Sequence, residues 1–227
     1  MAMQLRSTKS VHMNGVKVLV YGQSGAGKTT LIKTLPNPII ISAESGLLSL
    51  QGEDIPFIEV SDMESLEEAY SWLTQSAEAQ QFQSVAIDSL SEIGEVVLSA
   101  EKRNSKDPRA AYGEMVTQVT TLIRSFRDMN GKHIYFSAKC EKQSDETGRI
   151  LYSPSMPGKQ LPQQLPYLFD EVLALRVEKD DEGHAQRALM CDSDGIWAAK
   201  DRSGKLDTWM APDLGEIIKI IEGGAKL

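Results

Sequence analysis

Short apolar runs alternate along the chain with segments in which apolar residues recur at every third or fourth position. The runs predict buried strands at 16–21, 38–42, 55–60, 84–88, 133–138 and 171–177, with short strands at 186–191 and 196–199. The periodic segments predict helices at 28–35, from 61 or 62 to about 80, and at 90–102, 112–129 and 213–222. This order predicts a three-layer α/β fold with a mostly parallel central sheet and hairpin strands late in the chain.

The length of the chain favours a single domain over residues 1–227. At this size, with 41% hydrophobic residues, a substantial core can be buried without disulfides or metal sites. Residues 1–14 are expected to form an N-terminal extension. The segment 139–166 is expected to be an irregular, mobile excursion, because prolines lie at Pro154, Pro157, Pro162 and Pro166.

The chain is acidic, with a formal net charge of −8 and an isoelectric point near 5.0. This balance excludes a uniformly basic nucleic-acid-binding face, but a local basic channel stays open because salt screens charges beyond about 10 Å. The first residues lack the apolar core of a signal peptide, and no apolar stretch approaches about 18 residues. With two widely spaced cysteines, these features predict a cytoplasmic protein without a membrane partner.

A glycine-rich loop follows the first predicted strand and leads into the first predicted helix. It fits the pattern G-x4-G-K-[ST] from Gly22 to Thr29. The glycines let backbone amides wrap a phosphate, the lysine supplies a cation near the β- and γ-phosphates, and the threonine hydroxyl suits Mg²⁺. The sequence therefore predicts a site for ATP and Mg²⁺. The predicted nucleotide-binding residues are Gly22, Gln23, Ser24, Gly25, Ala26, Gly27, Lys28, Thr29 and Thr30.

Two carboxylates follow later strands of the predicted sheet. Asp88 ends the fourth predicted strand, from which it can reach the shell of an Mg²⁺ held by Thr29. Capping of the next helix is the alternative for Asp88. Glu44 follows the second strand, and it could orient or activate a water because ligands gather at the carboxyl ends of parallel strands. A solvated loop acid is the alternative for Glu44. Together with Lys28, both acids are candidate catalytic residues.

Three features occur in the order and settings of the RecA-type ATPase core: the phosphate loop, Glu44 in the run SAESGL, and Asp88 in the run VAIDSL. From about residue 17 to 177 the chain resembles that core. As a whole it resembles phage-encoded RecA-like ATP-binding proteins of the AAA type, a family that includes single-strand annealing and recombination proteins. The resemblance implies Mg-ATP binding, with Glu44 as the water-activating residue.

The same resemblance implies partners and a mode of action. ATP is expected at the boundary between subunits of a homo-oligomer that assembles on single-stranded DNA, with slow, DNA-stimulated hydrolysis. A single-strand-binding protein is a further partner that it suggests. The chain departs from the RecA-type pattern at the end of the fifth predicted strand, where such cores usually carry a glutamine-like sensor and this sequence has Lys139. Lys139 is a further catalytic candidate if it contacts the γ-phosphate, and a solvated strand-end lysine otherwise.

Two segments contain the candidate DNA-binding residues. From 101 to 112, four basic residues oppose two acidic ones, and from 139 to 160, four oppose three. Tyr112 and Tyr152 could stack on bases, each contributing about 1–3 kcal/mol. From the residues alone a solvated loop of mixed charge is the alternative, so DNA binding rests on the resemblance. The candidates are Lys102, Arg103, Lys106, Arg109, Lys142, Arg149 and Lys159.

Two cations late in the chain are candidates for action on a neighbouring subunit. Lys200 and Arg202 follow a short predicted strand, from which one could reach the neighbour's γ-phosphate. Turn chemistry in a hairpin is the alternative.

Two other functions share the phosphate loop, namely a nucleotide-dependent loader or binding module in DNA replication with little turnover, and a small-molecule kinase. A kinase generally needs an arginine-rich lid, whereas the segment 139–166 contains only Arg149.

Overall fold

The structure, a computed structural model, describes residues 14–44, 46–144 and 147–223. Apart from Asn14, the predicted N-terminal extension lies outside these ranges. In the described chain ten strands form one sheet. They are β1 (Lys17–Gly22), β2 (Pro38–Ser42), β3 (Phe57–Glu59), β4 (Ser84–Asp88), β5 (His133–Ser144), β6 (Ile150–Ser155), β7 (Glu171–Lys179), β8 (Ala185–Met190), β9 (Lys200–Asp201) and β10 (Trp209–Met210).

The order of neighbouring strands in the sheet is β10–β8–β7–β1–β5–β4–β2–β3. The strands from β7 to β3 in this order are parallel to one another. Strands β6, β8, β9 and β10 pair in the antiparallel sense. The mostly parallel sheet predicted from the sequence is therefore confirmed. Its parallel strands all end at one edge, which brings the phosphate loop, Glu44 and Asp88 to the same side of the molecule.

Helices cover both faces of the sheet, which gives the predicted three layers. One face packs against α2 (Met63–Gln75), α3 (Leu90–Asn104), α4 (Pro108–Arg127) and α5 (Gln160–Leu168), and the other against α1 (Lys28–Leu31) and α6 (Leu214–Ile221). Short 3-10 turns lie at Ile32–Thr34, Leu47–Leu50 and Glu78–Gln81. Within the described ranges, no helix has both the length and the apolar character needed to cross a membrane.

Helix α4 begins four residues earlier than the sequence pattern predicts. Asp107 caps it by accepting a hydrogen bond from the backbone N–H of Arg109 at 2.9 Å. Pro108 takes the first helical position, where no intrahelical hydrogen bond from its nitrogen is needed. The charged loop predicted to extend to about residue 111 is therefore reduced to residues 105–107, and Arg109 lies in the first turn of a helix.

The segment 139–166, predicted to be irregular, is a β-hairpin followed by a helix. β5 continues to Ser144 and pairs with β6, and α5 follows after a short turn. The prolines fit because of their positions. Pro154 lies on β6, whose ladder is with β5 alone in the described sheet, and Pro162 lies in the first turn of α5, where backbone N–H groups have no helical partner. Pro166 lies in the last turn of that helix.

The short strand predicted at 196–199 does not form. Asp194 Oδ1 accepts hydrogen bonds from the backbone N–H groups of Ile196 and Trp197, at 2.8 and 2.7 Å, and so closes a turn. The Trp197 ring stacks on Tyr152 with 4.1 Å between ring centroids. Trp197 and Tyr152 share an isolated bridge, and the chain returns to the sheet only at β9. The predicted strand is thus reduced to one bridge, in which the backbone N–H of Tyr152 donates to the carbonyl oxygen of Ile196 and that of Ala198 donates to the carbonyl oxygen of Tyr152, at 2.7 and 2.9 Å, beside the stacked rings.

Glu171 is a buried carboxyl group at the start of β7. Its side chain is 1% exposed, it lies opposite Asp201 of β9, and its Oε2 has no hydrogen-bond donor among the described residues. Burial, and secondly the neighbouring Asp201, raise the pKa of Glu171 to about 8. Asp201 accepts hydrogen bonds from the backbone N–H groups of Ser203 and Leu206, at 2.7 and 2.9 Å, which favour its charged form. At neutral pH, Glu171 therefore carries a proton.

We expect Glu171→Gln to flatten the dependence of stability on pH. Between about pH 4.5 and 8 the folded chain keeps a proton that the unfolded chain releases, so stability falls as pH rises, by at most about 1.4 kcal/mol per pH unit. Glutamine cannot ionise but can donate to Asp201. Denaturant titrations across this window would compare the variant with the native chain and with Glu68→Gln, an exposed control on α2. Equal slopes in all three proteins would contradict the prediction.

Candidate functional site

The phosphate loop joins β1 to α1 in a compact turn. Gly25 and Gly27 have φ angles of 75° and 106°, in the left-handed region that residues with a side chain rarely adopt. Gly22 is required for space, because a Cβ atom there would lie 2.9 Å from the carbonyl oxygen of Leu175. The glycines at these positions therefore allow the tight backbone path in which successive amides can surround an anion.

Lys28 lies within the loop and faces both candidate acids. Its Nζ donates to the carbonyl oxygens of Gly22 and Gln23, at 2.9 and 3.0 Å. Two of its three N–H groups are thereby used, and the third remains for a ligand. Burial lowers the pKa of Lys28, whereas the carboxylates of Asp88 and Glu44 act in the opposite direction. The Nζ group is therefore held at the base of the pocket by the carbonyl oxygens of the loop itself.

Asp88 links β4 to the phosphate loop. Its Oδ2 accepts a hydrogen bond from Thr29 Oγ1 at 2.6 Å, and its Oδ1 accepts one from Ser137 Oγ on β5. Helix α3 is capped by Ser89, not by Asp88, so the capping alternative does not apply to Asp88. A hydroxyl and a carboxylate oxygen this close suit a single Mg²⁺, which takes oxygen ligands at about 2.0–2.1 Å. The structure thus brings the two predicted metal ligands together.

Glu44 lies beside Asp88 because β2 and β4 are neighbours, with Ser42 opposite Asp88. The backbone N–H of Glu44 donates to the carbonyl oxygen of Asp88 at 3.3 Å, and Ser89 Oγ donates to Glu44 Oε1. Its side chain is 39% exposed. One carboxylate oxygen is therefore held in place, while the other can meet a water molecule on the open side of the pocket.

Lys139 lies next to the loop, since it is opposite Gly22 in the pairing of β5 with β1. Its Nζ donates to Glu92 Oε2 at 2.8 Å and lies 3.9 Å from Glu44 Oε1. The hydrogen bond with Glu92 raises the pKa of Lys139. A charged lysine therefore stands beside the candidate base.

These groups line one pocket of about 460 Å³, which we call the loop pocket and whose size is typical of small-molecule sites. Gln23 and Ala26 belong to the loop but do not line the pocket. Ser49, Ser89 and Cys140 line it without having been predicted. The full lining consists of Gly22, Ser24, Gly25, Gly27, Lys28, Thr29, Thr30, Glu44, Ser49, Asp88, Ser89, Lys139 and Cys140.

Sequence reasoning missed several supporting side chains. Ser89 and Ser137 fix the two acids, Ser91 Oγ accepts from the backbone N–H of Lys139 at 2.9 Å, and Arg187 Nε donates to the carbonyl oxygen of Ala26 at 3.0 Å. A serine inside the apolar run of β5 was a usable signal for Ser137, because buried hydroxyls require a partner. Arg187 had no such signal, since only the return of β8 alongside β7 brings it to the loop.

Lys200 and Arg202 are not brought to the pocket of their own chain. β9 pairs with the first residues of β7, at the edge of the sheet opposite the phosphate loop. Lys200 Nζ donates to the carbonyl oxygens of Pro166 and Phe169, the latter at 2.6 Å. Arg202 Nη1 donates to Asp170 Oδ1 at 2.7 Å. Both cations thus have hydrogen-bond partners within the chain. To act on a neighbouring subunit, each would have to leave those partners.

The two predicted DNA-binding segments meet at Tyr112. A methyl group added to Gly158 would lie 3.1 Å from Tyr112 Cδ1, so the ring packs against the turn that precedes Lys159. Lys102 Nζ lies 5.1 Å from the centre of the same ring. Lys142 and Arg149 lie on the hairpin of β5 and β6. All seven predicted cations of these segments are exposed, namely Lys102, Arg103, Lys106, Arg109, Lys142, Arg149 and Lys159.

The parallel sheet, the glycine loop at the end of β1 and the acid at the end of β4 define a P-loop ATPase domain with a RecA-like fold. The chain belongs to the AAA domain family, whose model matches residues 14–203. Membership implies nucleotide binding, typically with Mg²⁺. No protein of curated function shows significant sequence similarity to the chain.

Two solved structures are similar to the chain at low sequence identity. A KaiC-like protein from Pyrococcus horikoshii OT3 is 12% identical, with 78% of this chain and 79% of that chain covered and a TM-score of 0.41. An ATPase from the type III secretion system of pathogenic bacteria is 13% identical, with 71% and 51% covered and a TM-score of 0.50. This chain spans about half the length of the secretion ATPase, and the likeness concerns the fold.

Proposed function

We propose that the chain binds Mg-ATP in the loop pocket and hydrolyses it, with Glu44 as the residue that activates water. The observation that supports this function is the convergence of Lys28, the Thr29–Asp88 pair and Glu44 on one pocket. Phosphoryl transfer needs a cation on the β- and γ-phosphates, a metal site and a group that positions the nucleophile. The described pocket contains a candidate for each.

Each residue has a distinct part in this proposal. Lys28 and the loop amides bind the triphosphate and offset its negative charge. Thr29 and Asp88 would hold Mg²⁺, which when bound supplies positive charge to the phosphate oxygens. Glu44, held at Oε1 by Ser89, accepts a hydrogen bond from the attacking water at its other oxygen and takes the proton as the water oxygen bonds to the γ-phosphorus. The bond from that phosphorus to the bridging oxygen of the β-phosphate breaks, and ADP leaves.

We further propose that the chain acts as a homo-oligomer on single-stranded DNA and supports strand annealing or recombination. The γ-phosphate end of the pocket is open, since the side chains of Glu44 and Lys139 are 39% and 51% exposed, and a neighbouring subunit could complete it. A basic surface is defined as the exposed residues Lys102, Arg103, Lys106, Arg109 and Lys159, which lie at the end of α3, the start of α4 and the turn before α5. Lys102 lies over the Tyr112 ring, and Gly158, the neighbour of Lys159, packs against it. Cations beside an exposed aromatic ring suit a strand whose phosphates and bases are both accessible.

The direct test measures ATP turnover with Mg²⁺ or with a chelator, each with and without single-stranded DNA at low salt. The proposal expects turnover that needs Mg²⁺ and rises when DNA is added. Absence of turnover would contradict hydrolysis. Turnover without any binding of DNA would remove the DNA partner and leave the ATPase.

We expect the double variant Arg103→Ala/Lys106→Ala to bind single-stranded DNA less tightly and with a weaker salt dependence. Each lost phosphate contact should reduce the slope of log affinity against log salt by about 0.7, hence by about 1.4 for the pair. Fluorescence anisotropy at several salt concentrations would measure the slope. The charge-matched double variant Arg124→Ala/Lys219→Ala, with both residues exposed and outside the basic surface, should keep the native slope. Equal slopes for both double variants would place the DNA elsewhere.

A further inference from the structure

A second cavity, of about 340 Å³, lies on the other side of the phosphate loop from Asp88 and Glu44. It shares Gly25, Gly27 and Thr30 with the loop pocket, so the two cavities meet at the loop. We call it the nucleoside groove. Its lining consists of Gly25, Ala26, Gly27, Thr30, Leu31, Lys33, Thr34, Leu175, Arg187 and Pro212.

The walls of the nucleoside groove are fixed by close packing of α6 against the 3-10 turn that follows α1. Thr34 Oγ1 accepts a hydrogen bond from the backbone N–H of Leu214 at 2.9 Å. The two backbones approach so closely that a Cβ atom on Gly215 would lie 2.6 Å from the carbonyl oxygen of Thr34. Pro212, which precedes this contact, is thereby held opposite the loop, and the groove is a formed feature of the fold.

Arg187 reaches the groove from β8. Its Nε donates to the carbonyl oxygen of Ala26 at 3.0 Å, and it lies 3.6 Å from the position that a Cβ atom on Gly27 would take. Its two terminal nitrogens donate to none of the described residues. One edge of the guanidinium plane is therefore anchored, while the rest of the plane is free to contact a ligand.

The direction of a bound triphosphate follows from the loop pocket. Its γ-phosphate end lies toward Asp88 and Glu44, so its nucleoside end must leave the loop on the opposite side, past Thr30. The nucleoside groove is the cavity found there among the described residues. Leu175 and Pro212 offer it apolar surface, and Arg187 offers a flat cation of the kind that stacks on bases.

We propose that the nucleoside groove holds the base of the bound nucleoside triphosphate, with the Arg187 guanidinium stacked on it. The proposal rests on the function proposed above and names the residue that recognises the nucleoside. No carboxylate lines the groove in the described chain, so the lining has no side chain suited to accept the two N–H donors on the Watson–Crick edge of guanine. This lining favours recognition of the base by stacking over recognition by a guanine-specific acid.

The test compares binding of ATP with binding of inorganic tripolyphosphate, both with Mg²⁺, by calorimetry. Arg187→Ala should weaken ATP binding about tenfold and leave tripolyphosphate binding within about twofold of the native value. The control Arg124→Ala removes an exposed arginine from α4 and should change neither affinity.

Each other result overturns the assignment. Equal weakening of both ligands would show that Arg187 acts only by positioning the loop through Ala26, and unchanged affinities would show that it does not contact the nucleoside. If the native chain binds neither ligand, the proposed ATP site itself is wrong. If the native chain binds both ligands and the Arg187→Ala variant binds ATP as tightly as the native chain, the ATP site stands and only the role of Arg187 is wrong.

Discussion

We expect Glu44→Gln to lower the rate of ATP turnover by at least about 100-fold while leaving the affinity for ATP close to the native value. Glutamine has the size of glutamate, and its Oε1 can still accept the hydrogen bond from Ser89. It cannot accept a proton from water, however, so only the chemical step should be affected. A steady-state phosphate-release assay at saturating ATP, together with a binding titration, would separate the two quantities.

A control in the same region is Glu95→Gln, an exposed residue of α3 that does not line the pocket. Its turnover should stay within about twofold of the native rate. Native turnover in Glu44→Gln would exclude Glu44 as the water-activating residue. Loss of ATP affinity in the same variant would instead assign Glu44 to binding. If Glu44→Gln lost turnover yet kept partner-dependent function, the loader alternative would be favoured over the annealing ATPase.

Much of this site could be predicted from the sequence because its information is local. The phosphate loop is a continuous pattern, Asp88 ends a short apolar run, and Glu44 follows another after two residues. Parallel strands place their carboxyl ends at one edge, so residues that are far apart along the chain become neighbours through a general property of the fold. Here Ser42 pairs with Asp88, and Gly22 pairs with Lys139. These pairings bring Glu44 next to Asp88 and Lys139 next to the phosphate loop.

Other features depended on pairings that no local pattern encodes. Four prolines favoured an irregular segment at 139–166, but the partner strand and the turn positions allow a hairpin and a helix. Arg187 reaches the loop because β8 folds back along β7, and nothing in the run around Arg187 indicates this. The start of α4, by contrast, could have been predicted from the sequence, because Asp107 followed by Pro108 is a typical helix start signal. The predicted start at residue 112 used the apolar periodicity alone.

We expect Lys28→Ala to weaken ATP binding by about 100-fold or more. The Nζ group is held by the carbonyl oxygens of Gly22 and Gln23, and a partly buried cation that meets a triphosphate makes charge-assisted hydrogen bonds worth about 1.5–3 kcal/mol each. Its removal also leaves the phosphate charge facing Asp88 and Glu44 with less compensation. Calorimetry with ATP and with tripolyphosphate would measure the loss.

The two ligands distinguish Lys28 from Arg187. Because Lys28 acts on phosphates, its loss should weaken ATP and tripolyphosphate by a similar factor, whereas Arg187→Ala should affect ATP alone. Lys219→Ala, at an exposed lysine on α6, controls for the change in net charge and should bind both ligands normally. Native affinity in Lys28→Ala would mean that the triphosphate does not lie in the loop, and the assignments of Thr29, Asp88, Glu44 and Arg187 that follow from its position there would fall with it.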